Sequence, residues 1–297
     1  MEWNSLDNRG ALPKAFPLML RAVKVVTSPA WETILRAYHL NTVDAVYDCA
    51  AGGVVTRSGT TEVRRVELAD GAEPRVIYIK KYWANSARQL WSSALRGTFF
   101  GRSKARREFD NLAKLRAWGL DAPSPAAYGE ERHARWLVRS FLISEGVSEP
   151  LPLDVFIRDV LPGQPEPERH RLRRELIDRL ADYTRRLHER GFVHHDYFWR
   201  NILLTGLSFE HFWLIDAHKG RRWVSWAQQR SRAKDLATLD APAPRFFRRP
   251  ERLRFFLRYI GRSKLLDPDK RFLGLVLRLA APLRERQLRR VLEGRRV

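Results

Sequence analysis

"GFVHHDYFWRNILL", residues 191–204, sets two histidines, an acid and, five residues past the acid, an asparagine directly before three aliphatics. The glycine reads as the end of a helix and Ile202-Leu203-Leu204 as a short buried strand, so the polar residues fall in the loop that joins them. A plain connector has no need of His194, His195, Asp196 and Asn201 among Phe192, Trp199 and Leu203. Asp196 and Asn201 are either loop decoration or a pair aimed at one site, and the rest of the chain decides which.

Upstream, from Pro167, Leu172, Leu176, Leu180 and Leu187 lie on one stripe of a long helix that Gly191 closes. Downstream, "FWLIDAHKG" (212–220) is an apolar strand ending in Asp216, and from Arg221 the chain is arginine-rich and mostly helical in pattern. Nearer the N-terminus, "TEVRRVEL" (61–68) and "RVIYIKKY" (75–82) read as strands, with Asp70-Gly71 as a hairpin turn. From Arg102 to Trp118 the pattern is helical, with Glu108, Leu112 and Leu115 at i, i+4 and i+7 and Gly119 as the stop. "RWLVRSFLIS" (135–144) is a strand or a tight strand pair, and "EGVSEPLP" after it is a linker between lobes. Residues 1–45 are mixed, with a short helix around "AWETILRAYHL". The expected organisation is α+β: an N-terminal extension (1–45), a small β-rich lobe with one helix (46–147) and a mainly helical lobe (148–297).

With 297 residues and 44% hydrophobic composition, the chain can bury one large core or two modest ones. A single cysteine, Cys49, excludes an internal disulfide framework and fits a reducing compartment. "MEWNSLDNRG" carries an early acid and no apolar core, so no cleaved secretory signal is expected; "FLGLVLRLAAPL" is split by Arg278, so no membrane span is expected. Fifty-five Lys plus Arg against 34 Asp plus Glu give a net charge of +21, a field that attracts nucleic acid, anionic lipid or a polyphosphorylated substrate. A codon bias toward arginine accounts for part of this charge, so charge names a class of partner rather than a function.

Five polar residues stand at the joints of this order: Lys80 ending "VIYIK", Glu108 on the first helix, Asp196 and Asn201 in the loop, and Asp216 ending the next strand. The set resembles the protein-kinase-like phosphotransferases, with their strand lysine, helix glutamate, H-x-D-x-x-x-x-N loop and metal-binding aspartate. "HHDYFWRN" keeps His194, Asp196 and Asn201 at that spacing, while "LID" followed by Ala217 and His218 replaces D-F-G. The resemblance implies a bilobal protein-kinase-like fold with ATP and Mg²⁺ as cofactors.

The chemistry supports the set on its own terms. Phosphoryl transfer needs the charge on ATP neutralised and the acceptor hydroxyl held in line. A lysine such as Lys80 holds phosphates well when a carboxylate such as Glu108 fixes its long side chain. Asn201 and Asp216 offer the hard oxygen ligands that suit Mg²⁺, which leaves Asp196 to accept the hydroxyl proton. Arg200 is placed to steady the transferred phosphate, since Phe198 occupies the position of the loop lysine of many protein kinases. Plainer readings compete. Lys80 also suits an edge strand guarded against aggregation, and Lys81 is its rival. Glu108, beside Arg106 and Arg107, also reads as a solvated helix acid. His194 reads better as a packed scaffold than as a proton shuttle, and His195 has no assigned role. "AAGGVVTRSG" lacks G-x-G-x-x-G, so Gly52 and Gly53 are the candidates for phosphate-facing backbone.

Within the superfamily, "YIKKY", "SKARREFDNLAKL" and "LIDAHKGRR" resemble the lipopolysaccharide core kinases of the Kdo/WaaP type. Those proteins show an aliphatic-Lys-aromatic strand, a basic segment before R-E-[FW], and I-D-x-H-[RK] in place of D-F-G. "SRAKDLATL", with Asp235, resembles their basic R-x-K-D-L helix, and Lys81 departs from the aromatic expected after the lysine. The resemblance implies transfer of phosphate to a heptose or Kdo hydroxyl of an anionic glycolipid, the lipopolysaccharide core, by a cytoplasmic enzyme in peripheral contact with the inner membrane and with no nucleic acid as partner. "RFFRRPERLRFFLR" (245–258) and "RFLGLVLRLAAPLRERQLRR" (271–290) read either as interfacial helices or as ordinary helices with a basic face. A small-molecule (aminoglycoside-like) phosphotransferase, a protein kinase and a basic nucleic-acid-binding pseudokinase are the rival readings. The first usually has glycine after the loop histidine, the second an A-P-E segment, and the third is disfavoured by the intact acid and lysine set.

Overall fold

The computed structural model describes residues 20–69, 74–84, 101–222 and 227–292. The chain divides into two compact units, Met1–Ala113 with Pro123–Gly146, and Lys114–Ala122 with Val147–Val297.

The first unit is built on a six-stranded antiparallel sheet of β1 (Arg21–Thr27), β2 (Gly53–Ser58), β3 (Thr61–Leu68), β4 (Arg75–Trp83), β5 (Pro125–His133) and β6 (Trp136–Glu145), in the order β1-β5-β6-β4-β3-β2. Two short helices, α1 (Glu32–Ala37) and α2 (Val43–Asp48), cover one face. Their Leu35, Val43 and Val46, with Trp31 and Leu40, pack on Val66, Leu68, Ile77, Ile79, Phe141 and Ile143. Residues 21–45 are therefore part of this unit and not the separate extension expected from sequence; each helix is only six residues long and carries too little periodicity to announce its packing. Thr42 caps α2, its hydroxyl accepting the Ala45 N–H at 3.2 Å. The longer helix α3 (Lys104–Ala117) turns Glu108 and Leu112 inward, with Phe109 against Tyr128 at a ring distance of 5.1 Å. The Asp70-Gly71 turn lies outside the described residues.

The second unit is mainly helical: α4 (Glu166–Glu189), α5 (Ala227–Asp240), α6 (Arg249–Ile260) and α7 (Asp267–Leu292). The expected stripe on α4 is in place, with Leu172, Leu176, Leu180 and Leu187 all buried and Gly191 at φ 80° just past the helix end. Ala181 of α4, Ala233, Leu236 and Ala237 of α5, Phe256 and Tyr259 of α6, and Val276 and Ala280 of α7 form one core. Phe256, Tyr259 and Val276 are buried against helices, while Leu253 of α6 and Leu277 and Leu288 of α7 stay exposed at 39%, 39% and 55%. Residues 245–258 and 271–290 therefore supply both core and outward-facing apolar side chains. The only strands described here are short: β7 (Leu151–Pro152), β9 (Ile202–Leu204) and β10 (Phe212–Leu214) in one sheet, β8 (Phe192–Val193) paired with β11 (Arg221–Arg222) in another.

Candidate active site

In the first unit, β4 sorts its two lysines by strand parity. Lys81 shares a face with Ile77 and Ile79, and its side chain is 5% exposed. Its ammonium donates to the Tyr47 and Cys49 carbonyls at 3.1 Å each, at the C-terminal end of α2 where the backbone dipole favours a cation. Burial pushes the Lys81 pKa down, opposed by the attraction of Glu62. Lys80 points to the other face, where its Nζ lies 2.6 Å from Oε1 of Glu108, whose own side chain is 2% exposed. Tyr82 Oη is 3.5 Å from the second Glu108 oxygen. Glu108 is thus a buried ion-pair partner and not a solvated helix acid. A buried carboxylate of this kind is tolerable only because the lysine answers it.

Gly52 adopts φ +71°, and a Cβ there would run into the Arg65 carbonyl on the neighbouring strand. The close approach accounts for this glycine as packing, while a Cβ on Gly53 would meet nothing. The register runs Ser58↔Thr61, Gly53↔Arg65 and Val63↔Lys80, so Gly52 and Gly53 lie at the end of the β2–β3 hairpin opposite its turn. The two glycines named from sequence as candidates for phosphate-facing backbone thus sit at the open end of the hairpin.

In the second unit, the loop after α4 is clamped from several sides. Asp235 on α5, 1% exposed, accepts the backbone N–H groups of His194 at 2.7 Å and His195 at 2.8 Å, with His188 Nε2 at 3.4 Å. His194 is fully buried: its Nδ1 accepts the Asp196 N–H at 3.3 Å and its Nε2 faces the Ile215 carbonyl at 3.0 Å. That pair of contacts specifies a neutral ring with the proton on Nε2, and desolvation holds its pKa below the ordinary imidazole value. His194 is a scaffold, as expected. His195 takes φ 64°, a left-handed turn that lets two successive N–H groups face one carboxylate, and burial lowers its pKa too.

Asn201 is buried, and its Nδ2 donates to the Asp196 carbonyl at 2.8 Å, which turns its Oδ1 the other way. The Ile215 N–H donates to the Asn201 carbonyl at 3.0 Å, and Ile202 pairs with Leu214, so Asn201 and Asp216 flank one end of the β9–β10 pair. Asp216 is left-handed, φ 59° and ψ 41°, with Oδ1 2.9 Å from His218 Nδ1. Such a conformation costs a non-glycine residue about 1–3 kcal/mol and is seen mainly where function requires it. Asp196 meets Lys219, whose Nζ is 2.8 Å from Oδ2. The Arg200 guanidinium, the candidate for steadying the transferred phosphate, lies over the Phe198 ring at 4.3 Å on an exposed face. Sequence reasoning missed the roles of Asp235 and Lys219. The available signal was an acid in the helical row Ser231-Asp235-Leu239, all of it buried, and a lysine three residues past Asp216.

Comparison with known proteins agrees with this geometry. The family model described as "Lipopolysaccharide kinase (Kdo/WaaP) family" matches residues 50–249. The lipopolysaccharide core heptose(I) kinase WaaP of Pseudomonas aeruginosa is 30% identical over 193 residues, 62% of this chain and 70% of that protein. A solved structure of WaaP in complex with acyl carrier protein superposes with a TM-score of 0.64 at 25% identity, covering 88% of this chain and 99% of that one. The fold is accordingly kinase-like.

Proposed function

The chain belongs to the lipopolysaccharide kinase (Kdo/WaaP) family, and from that membership we propose that it transfers the γ-phosphoryl group of ATP to a heptose or Kdo hydroxyl of the lipopolysaccharide inner core. It is a phosphotransferase acting on a core sugar; the donor, the sugar and the residue roles are our reading. One observation carries it: Lys80 and Glu108, both inside the matched span, are paired at 2.6 Å, the arrangement that steadies a lysine for phosphate.

In this reading Lys80 holds the α- and β-phosphates while Glu108 fixes its side chain. The acceptor hydroxyl oxygen attacks the γ-phosphorus. The new O–P bond forms as the bond to the β–γ bridging oxygen breaks, ADP leaves with that electron pair, and Asp196 takes the hydroxyl proton. Asn201 Oδ1 and the Asp216 carboxylate would hold Mg²⁺, and the donor set fits: both are hard oxygens, and the Asn201 amide nitrogen is already committed to Asp196. When bound, the ion neutralises phosphate charge. The test is transfer of labelled phosphate from ATP to purified core lipopolysaccharide, beside aminoglycosides and protein extracts. Asp196→Asn is expected to lose about 10²–10⁴-fold in kcat while still binding nucleotide, and Asp216→Ala to weaken metal-dependent nucleotide binding itself. Phosphate on an aminoglycoside and none on the glycolipid would sink the acceptor assignment.

The site of action we infer is the cytoplasmic face of the inner membrane, in peripheral contact with anionic lipid; among the described residues no helix is long and apolar enough to cross a membrane. A second partner reading, binding of an acyl carrier protein, is favoured by an apolar cavity of about 390 Å³ in the second unit, lined by Leu176, Leu180, Phe256, Leu273 and Val276 among others. Calorimetry with carrier protein bearing and lacking an acyl chain tests it; equal binding of the two forms would remove the cavity from the argument.

A further inference from the structure

We propose that Lys219 is the positioning residue of Asp196, the cation that orients its carboxylate for proton transfer. The inference rests on the phosphotransferase reading above. Its Nζ lies 2.8 Å from Asp196 Oδ2, and among the described residues it is the side-chain cation paired with that acid. The Asp196 side chain is 15% exposed and that of Lys219 52%, so the carboxylate is sheltered while the ammonium reaches in from the open side.

The backbone that delivers Lys219 is fixed at both ends. Asp216 turns the chain left-handed, Ala217–Lys219 form a 3₁₀ turn, and the Gly220 N–H closes it on the Ala217 carbonyl at 2.9 Å. Gly220 packs on the Phe192 ring, where a Cβ would collide with Cζ. Arg221 and Arg222 then pair with Val193 and Phe192, the strand that leads into His194 and Asp196. From the other side, His194 Nε2 meets the Ile215 carbonyl at 3.0 Å. The loop bearing Asp196 and the turn bearing Lys219 are thus sewn together by strand pairing, glycine packing and a buried histidine. Meanwhile Phe198 fills the loop position two residues past Asp196 and Arg200 is stacked on it, so the loop supplies no cation of its own to the acid.

The chemical consequence is definite. Lys219 on Oδ2 leaves Asp196 Oδ1 to take the acceptor proton as the O–P bond forms, and Lys219 keeps its own proton throughout. It holds one oxygen so that the other points at the acceptor.

Four variants test this. Lys219→Ala is expected to lower kcat about 10–100-fold with little change in the KM for ATP. Lys219→Arg should recover most of that loss, and Lys270→Ala, at an exposed lysine paired with Asp267, should remain within about threefold of wild type. In an Asp196→Asn background, Lys219→Ala should cost almost nothing further, because the two act as one unit. A half-exposed ion pair contributes little to stability, so the Tm should stay put; a merely structural lysine would move Tm and leave the kcat pattern alone. The ranking is read twice, in transfer to core lipopolysaccharide and in acceptor-free hydrolysis of ATP. Wild-type hydrolysis without transfer would remove the lipopolysaccharide reading and still rank the variants. Full activity of Lys219→Ala in either assay, or an equal loss in Lys270→Ala, would overturn the role of Lys219, and a protein that did neither reaction would overturn both.

Discussion

The Asp235 carboxylate accepts the backbone N–H of His194 at 2.7 Å, so a residue forty-one positions along the chain holds the turn that carries Asp196. The neighbouring N–H of His195 reaches the second oxygen at 2.8 Å. Two backbone donors buried together need a partner, and no uncharged side chain of that size offers both of them an equally strong acceptor.

Asp235→Ala should therefore be costly in two ways. Leaving two buried N–H groups unmet costs about 2–6 kcal/mol, and the loop that carries Asp196 loses its anchor. Asp235→Asn, which presents one good acceptor, should fall between. Denaturant titration and kcat on the same preparations check this. An Ala variant of wild-type stability would show that the loop is held by His194 alone.

The two adjacent lysines of β4 make opposite predictions. Lys80→Ala removes the partner of Glu108 and should abolish most activity, and it should also lower stability because the buried Glu108 carboxylate is left unanswered. Lys81→Ala removes a buried cation from the Tyr47 and Cys49 carbonyls and from Glu62, so it should unfold the first unit more readily while leaving kcat of the folded fraction nearly intact. Activity per folded molecule, read beside thermal melts, separates the two: equal kcat losses would mean that strand parity does not divide their roles.

How much of this was legible in the sequence follows from what each signal depends on. Lys80 lies in the last half of β4, Glu108 in the second turn of α3, and Asp196, Asn201 and Asp216 in the short segments around β9 and β10, and local pattern suffices to place each on its element. The strands β2 and β5 left no such trace. All of β2 is exposed at a sheet edge, and β5 reads "PAAYGEERH", which looks like a polar turn. It becomes a buried strand only through distant partners. Glu131 meets Arg21 at 3.0 Å and Arg139 at 2.7 Å, and Glu130 takes the Ser103 N–H at 3.1 Å. The choice between Lys80 and Lys81 needed α2 and α3 on opposite faces, and the contact of Lys219 with Asp196 needed the β8–β11 pairing. Both are long-range facts that no window of residues contains.

His194 gives the protein a dependence on pH. Burial holds its folded pKa below 6.5. Above the unfolded value neither state is protonated there and nothing is lost. As pH falls through 6.5, the unfolded chain takes up a proton that the folded chain refuses, so stability declines with falling pH until the lowered folded value is reached. The slope for one such group is about 1.4 kcal/mol per pH unit. His195, lowered for the same reason, adds to it in the same direction. Melting curves between pH 7.5 and 5.5 should therefore descend, and His194→Gln, less stable at neutral pH, should show a flatter descent. An unchanged slope in that variant would place the titration elsewhere.

The last prediction concerns how a chain of net charge +21 meets an anionic lipid surface. The arginines of α6 are largely spoken for: Arg252 pairs with Asp240, Arg254 with Asp178 and Arg258 with Asp182. The apolar residues Phe256 and Tyr259 on the same helix are buried in the core of the unit, and Leu253, 39% exposed, gives insertion by this helix little to work with. What remains is attraction at a distance, worth about 1 kcal/mol per basic residue near the surface and screened over a Debye length of about 8 Å at physiological salt. Binding to vesicles rich in anionic lipid should then fall steeply between 50 mM and 500 mM salt and vanish on neutral vesicles. ATP affinity, which the proposed pairing of Lys80 with phosphate would set, should change far less over the same range. Sedimentation with vesicles and nucleotide titration at matched salt measure both. Binding that survived at high salt would mean that an apolar element does enter the bilayer, and would overturn a contact made by long-range charge alone.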